Sequence, residues 1–207
     1  MKLFNRLLLL FTLVLPVAAG AQAPLSNDAP DVLIKRVTNE VLEIVRKDKD
    51  IQSGDRKKVL DLVDAKVLPH FNFSRMTQLA MARDWRTATP AQQKLLTDEF
   101  RTLLVRTYSK ALTEYKNQVI DFKPFAMKAE ETDVKVRTQV IQSGAKPVTL
   151  DYFLEKQPQS WKVVDIEVGG ISLVTNYRES FASEVRNGGI DGLIKSLQAK
   201  NRSAESK

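Results

Sequence analysis

Cysteine is absent from all 207 residues. Disulfide stapling, thiol nucleophiles and thiolate metal centres are therefore excluded, and stability has to come from a packed apolar interior. There is a single histidine, His70, too few for the several His and Cys ligands of a zinc site. It stands beside Pro69 with no carboxylate next to it, which reads as a structural or exposed side chain and not a catalytic one. No G-x-S-x-G elbow occurs: Gly170-Ile171-Ser172 has no second glycine behind the serine. Glu130, Glu131 and Asp133 lack the ligand spacing and glycine of a calcium loop, and nothing selects one carboxylate pair for glycosidase chemistry. Acids and bases interleave without a basic block beside exposed aromatics, so nucleic-acid binding is not expected. The sequence thus predicts no enzyme, no catalytic residue, no metal and no cofactor.

The first 21 residues are the most informative stretch present. Lys2 and Arg6 precede an apolar core from Leu7 to Val17, and Ala19-Gly20-Ala21 supplies the small residues a signal peptidase accepts. Residues 1–21 therefore read as an export signal. No later run approaches the ~20 apolar residues that span a bilayer, so the processed product is expected to be soluble. Removing Lys2 and Arg6 lowers the formal charge from +7 to +5, a mild pull toward anionic surfaces.

Residues 22–30 read as a flexible lead-in, 31–200 as a single domain and 201–207 as a polar tail. From Asp31, Leu33, Val37, Val41 and Ile44 recur at helical spacing until Gly54; Val59, Leu62, Val63 and Val67 predict a second helix, and Phe71, Phe73, Met76 and Leu79 a short third. Thr89-Pro90-Ala91-Gln92 combines a capping residue, proline at the first helical position and a glutamine that reaches back, so a long helix starts there. Its broad stripe needs a sheet or more than one helix to cover it. Near residue 118 the period falls to two: Val134, Val136, Thr138 and Val140; then Val148, Leu150, Tyr152 and Leu154; then Trp161 to Val168. Short connections make these an antiparallel meander, to which residues 119–125 add a fourth strand. Helical spacing returns after Gly169-Gly170, with a break at Gly188-Gly189. Helices, meander, helices is an α+β order, with a helical layer on one face of an antiparallel sheet. From periodicity alone, a filled interior and a gap that holds a ligand are both open.

Several runs resemble the MlaC family, also called toluene tolerance proteins: VLPHFNFSRM over 67–76, Trp85-Arg86, Gln92-Gln93, EFRTLLVRTY over 99–108, VTLDY over 148–152, WKVVDI over 161–166, GISLVTNYR over 170–178, and Phe181. They occur in order across nearly the whole mature chain. One departure is Gly169, where relatives often carry glutamate. The resemblance implies a curved antiparallel sheet of about four to five strands under a helical layer, enclosing an apolar cavity. It implies a monomeric periplasmic carrier of glycerophospholipid that moves between an outer-membrane lipoprotein–porin complex and an inner-membrane MCE-domain ABC transporter, maintaining outer-membrane lipid asymmetry. A periplasmic chaperone or lipoprotein carrier is the alternative.

Strand phase and the long helix give candidate cavity residues: Leu96, Phe100, Leu103 and Tyr108, then Val134, Val136, Val148, Leu150, Tyr152, Val164 and Ile166. A one-residue slip would reverse the face they occupy. Tyr152 can lay its ring on chain carbons with its hydroxyl on water or an ester oxygen, or equally be a core tyrosine with a satisfied hydroxyl. Arg101, Arg106 and Arg178 are candidates for a headgroup or for partner docking, against the plainer reading of solvated helix charges. The interface between the long helix and the meander is expected to open.

Overall fold

The computed structural model describes residues 28–203. The expected export signal, most of the lead-in and residues 204–207 lie outside the described residues. Helix α1 (Pro30–Lys47) starts on a proline and carries Asp31 in its first turn and Arg46 and Lys47 in its last, all favourable to the helix dipole. Asp48 ends it and caps the single turn α2 (Lys49–Gln52), accepting from the backbone of Asp50 and Ile51. Asp55 caps α3 (Arg56–Lys66) and Asn72 caps α4 (Phe73–Met81) in the same way. Thr89 and Gln92 form the expected capping box at the head of α5 (Pro90–Tyr108), which is followed by the turn α6 (Lys110–Thr113). The last helix, α7 (Arg178–Ser203), kinks at Gly189, whose φ of 68° suits glycine alone at low cost. It continues through residues expected in the polar tail: Asn201 is buried and its side-chain amide donates to the Glu99 carbonyl and carboxylate.

The sheet is a five-stranded antiparallel meander, β1 (Val119–Phe122), β2 (Asp133–Ile141), β3 (Val148–Gln157), β4 (Ser160–Val168) and β5 (Ile171–Ser172), in that order. Gly169 and Gly170, both at positive φ, make the two-residue β4–β5 turn. Register puts Val136, Tyr152 and Ile166 in one row and Thr138, Leu150 and Val168 in the next, on the face under the helices. The other face carries Lys135, which pairs with Asp151 at 3.2 Å and Glu167 at 2.8 Å. A bulge interrupts β3–β4: Phe153 pairs with Asp165 but Leu154 pairs with Val163. Val164 is the extra residue, so apolar phase passes from Ile166 to Val163.

The helical layer divides. Helix α1 lies against β2, with Leu33 and Ile34 packed on Val136, Leu154, Trp161 and Val163. Helix α5 does not lie mainly on the meander. It packs on α7 and α4, where Phe100 meets Tyr177 and Phe181 edge-on with centroids 5.1 Å apart. A third cluster joins Val41 and Val45 of α1 to Ile51, Val59, Leu62 and Val63.

Candidate functional site

Between α1, α3, the end of α5, α6 and the inner sheet face lies a cavity of about 540 Å³. That is within the roughly 300–1,000 Å³ of small-molecule sites. Its wall is mostly aliphatic and aromatic: Val37 and Val41 from α1, Val63 from α3, Phe71 and Phe73 from the segment entering α4, Leu104 and Val105 from α5, and Ile120, Val140, Leu150 and Ile166 from the sheet. Exposed lining residues Tyr108, Ala111, Glu114 and Gln142 mark the mouth. At the same end of the sheet Val119, Ile141, Val148, Val168 and Ile171 are exposed, a rim of apolar side chains next to the opening.

Polar groups on the wall are few. The Tyr115 hydroxyl accepts from Arg46 Nε at 2.9 Å and donates to the Gln118 carbonyl at 3.0 Å, so it is satisfied. Tyr152 lines the wall from the middle of β3, and burial pushes its phenol up to about 12. His70 also lines the wall; burial, then the positive charges of Arg36 and Lys162, lower its pKa, with Glu40 and Asp28 opposing. Burial also raises Tyr108, assisted by Tyr177.

Of the residues singled out in the sequence, Tyr108, Leu150, Tyr152 and Ile166 come together on this wall. Leu96 and Phe100 are instead fully buried in the core between α4, α5 and α7, and Leu103 packs at its edge. Only the last turn of α5 passes over the cavity, so Leu104 and Val105 take the places assigned to them. Val136 has the expected inward phase but is covered by α1 at 1% exposure, and Val148 stands 44% exposed at the open end. Val164 is turned off the cavity face by the bulge, and with Val134 it lines a second cleft of about 420 Å³ beside Lys135, Asp165 and Arg178. Arg101 pairs with Asp64 at 2.8 Å, Arg106 donates to the Asn201 carbonyl, and Arg178 donates to the Leu79 carbonyl at 3.1 Å. These arginines tie helices together and do not converge on the mouth. The contribution of α1 and α3 was missed because Val37, Val41 and Val63 have the spacing of ordinary core. Ile120 and Val140 were within reach of the strand alternation.

Residues 35–199 match the family profile described as MlaC protein. The chain belongs to the MlaC family. Members are carriers without enzymatic activity, and no group of three or more His, Asp or Glu placed for a metal ion occurs among the described residues. Among relatives of this family member, the intermembrane phospholipid transport system binding protein MlaC of Haemophilus influenzae is 22% identical over 192 residues, covering 91% of this chain and 90% of its own. The toluene tolerance protein ttg2D of Pseudomonas putida is 25% identical over 180 residues, covering 86% and 83%. A phospholipid-binding protein from Ralstonia solanacearum, solved in complex with a phospholipid, is 40% identical with a TM-score of 0.80, covering 86% of this chain and 99% of that one.

Proposed function

We propose that the chain is a periplasmic carrier which shelters the acyl chains of a glycerophospholipid in the cavity between α1 and the sheet. In this reading residues 1–21 direct export and a single lipid-binding domain runs from the start of α1 at Pro30 to the end of α7 at Ser203. The carrier moves as a monomer between an outer-membrane lipoprotein–porin complex and an inner-membrane MCE-domain ABC transporter, and so maintains outer-membrane lipid asymmetry. The observation that carries this reading is the apolar cavity of about 540 Å³ in a member of a family with a relative solved holding a phospholipid.

The physical need for such a cavity is large. Each methylene kept from water contributes ~0.8 kcal/mol, so a bare 16-carbon chain faces on the order of 12 kcal/mol in the aqueous periplasm. Aliphatic walls offset most of that without reading chain identity. Native mass spectrometry of gently purified protein tests the proposal: one diacyl phospholipid per chain is expected, and retained polypeptide or lipidated peptide instead would favour a chaperone or lipoprotein carrier. Leu150→Asp places an unpaired carboxylate on the cavity wall. Copurifying phospholipid should fall at least about tenfold while circular dichroism reports a retained fold; unchanged lipid would remove Leu150 from the site.

A further inference from the structure

Arg46, exposed in the last turn of α1, is fastened to the edge of the cavity. Its Nε donates to the Tyr115 hydroxyl at 2.9 Å and its Nη2 donates to the same oxygen, while the guanidinium carbon lies 5.4 Å from the centre of the Tyr115 ring. Tyr115 is itself part of the cavity wall. Hydrogen bonds continue from it along the mouth. Tyr115 donates to the Gln118 carbonyl, Gln118 Oε1 accepts from the Lys116 backbone, and Gln118 Nε2 approaches Oε1 of Gln142, an exposed lining residue, at 3.4 Å. Arg36, Arg75 and Arg101 each meet a carboxylate, of Asp28, Glu155 and Asp64. Arg46 is held by a hydroxyl instead and forms no ion pair among the described residues. The acids near it are engaged elsewhere: Glu43, one turn back, pairs with Lys47 at 3.7 Å, and Glu114 at the mouth pairs with Lys110 at 3.4 Å. A guanidinium has five N–H donors, and two go to Tyr115. The other three remain at the opening with the positive charge uncompensated.

A hydroxyl fixes a guanidinium in place without neutralising it. Such a cation matches an oxyanion that accepts from two N–H groups at once. A glycerophospholipid whose acyl chains fill the cavity carries one group of that kind at the level of the mouth, its phosphodiester. We propose that Arg46, positioned by Tyr115, is the phosphodiester subsite of the cavity mouth. This rests on the phospholipid reading above. The aliphatic wall treats a phospholipid and a diacylglycerol with the same chains alike, so the difference between them isolates the subsite.

The test is native mass spectrometry of delipidated protein offered an equimolar mixture of phosphatidylglycerol and diacylglycerol with identical acyl chains. The ratio of the two bound to the wild-type protein is the reference. Arg46→Gln is expected to lower the phosphatidylglycerol share by roughly twofold to fivefold, the range of an exposed charge pair, with the fold retained by circular dichroism. Tyr115→Phe keeps the ring on the wall but removes the oxygen that positions Arg46, and is expected to give an intermediate ratio. Arg186→Gln removes the same charge from α7, which contributes nothing to the cavity wall, and is expected to leave the ratio unchanged. A folded Arg46→Gln protein with the wild-type ratio, or an equal fall in Arg186→Gln, overturns the subsite and leaves the carrier reading standing. Excess glycerophosphoglycerol, the headgroup without its chains, is expected to leave the wild-type ratio unchanged; if it abolishes the phosphatidylglycerol preference, the site is one for free phosphodiesters and the lipid assignment falls. Retention of neither lipid by the wild-type protein overturns the carrier reading and the subsite with it.

Discussion

In the core between α4, α5 and α7, Phe100, Leu193 and Leu197 expose at most 1% of their surface. Val37, Leu150 and Ile166 are also interior, yet each stays partly accessible because its outward side meets a cavity and not a neighbour. Similar side-chain chemistry therefore yields a closed core in one region and a walled space in the other. The difference lies in what faces what. Helices α5 and α7 interdigitate, with the rings of Phe100, Tyr177 and Phe181 at 5.1–5.6 Å, whereas the later turns of α1, including Val41, and the sheet residues Leu150 and Ile166 line a common cavity. Atoms on the wall forgo dispersion contacts that atoms in the closed core keep.

Truncation separates the two regions most strongly. Phe100→Ala is expected to cost about 3–5 kcal/mol, since a fully packed ring leaves a void. Leu150→Ala is expected to cost clearly less, below the roughly 2–5 kcal/mol of a core leucine, because part of its surface already lacks a partner. Urea denaturation of delipidated protein checks both, and equal costs would mean that the cavity wall is packed like the core.

How far these two regions can be told apart in the sequence depends on the element. The capping box at Thr89 and Gln92 and the alternation through Val134, Val136, Thr138 and Val140 are local signals, and the structure realises both. Leu150, Tyr152 and Ile166 reach the wall by the same alternation. The helical stripe of Leu96, Phe100 and Leu103 shows that one face is buried but not what buries it; α7 does. Val164 failed for a different reason. Two adjacent valines at 163 and 164 are compatible with unbroken alternation or with a bulge, and only pairing with Leu154 decides between them. Thr38 lies among Lys35, Arg36, Asn39 and Glu40 of α1, and nothing in that local pattern marks it as part of the cavity wall.

Filling the space is the next largest effect. A lipid that binds only the folded state stabilises it by about 2.7 kcal/mol at one hundred times its Kd. Loaded protein is therefore expected to unfold at higher urea than delipidated protein. Phe100 does not line the cavity, so Phe100→Ala should keep nearly the full increment, whereas Leu150→Asp should lose it. An increment lost equally in both would show that the two regions respond as one unit.

The smallest effect concerns His70, the titratable histidine on the cavity wall. Burial, Arg36 and Lys162 lower its pKa in the folded state, outweighing Glu40 and Asp28, while the unfolded chain keeps about 6.5. Between those two values the unfolded state binds more protons, so stability rises with pH there. It is fully present above about 6.5 and is lost as pH falls through 6.5 toward the folded value. His70→Gln removes the proton site but keeps a polar side chain of similar length. The urea midpoint of the wild-type protein should therefore drop more between pH 7.5 and pH 5 than that of the variant. Equal drops would assign the acid sensitivity to carboxylates elsewhere, and a larger drop in the variant would mean that the folded state favours the imidazolium. Because His70 borders the cavity and not the closed core, the same acidification should weaken lipid retention in the wild-type protein while leaving the packing of Phe100, Tyr177 and Phe181 intact, which near-ultraviolet circular dichroism reads directly.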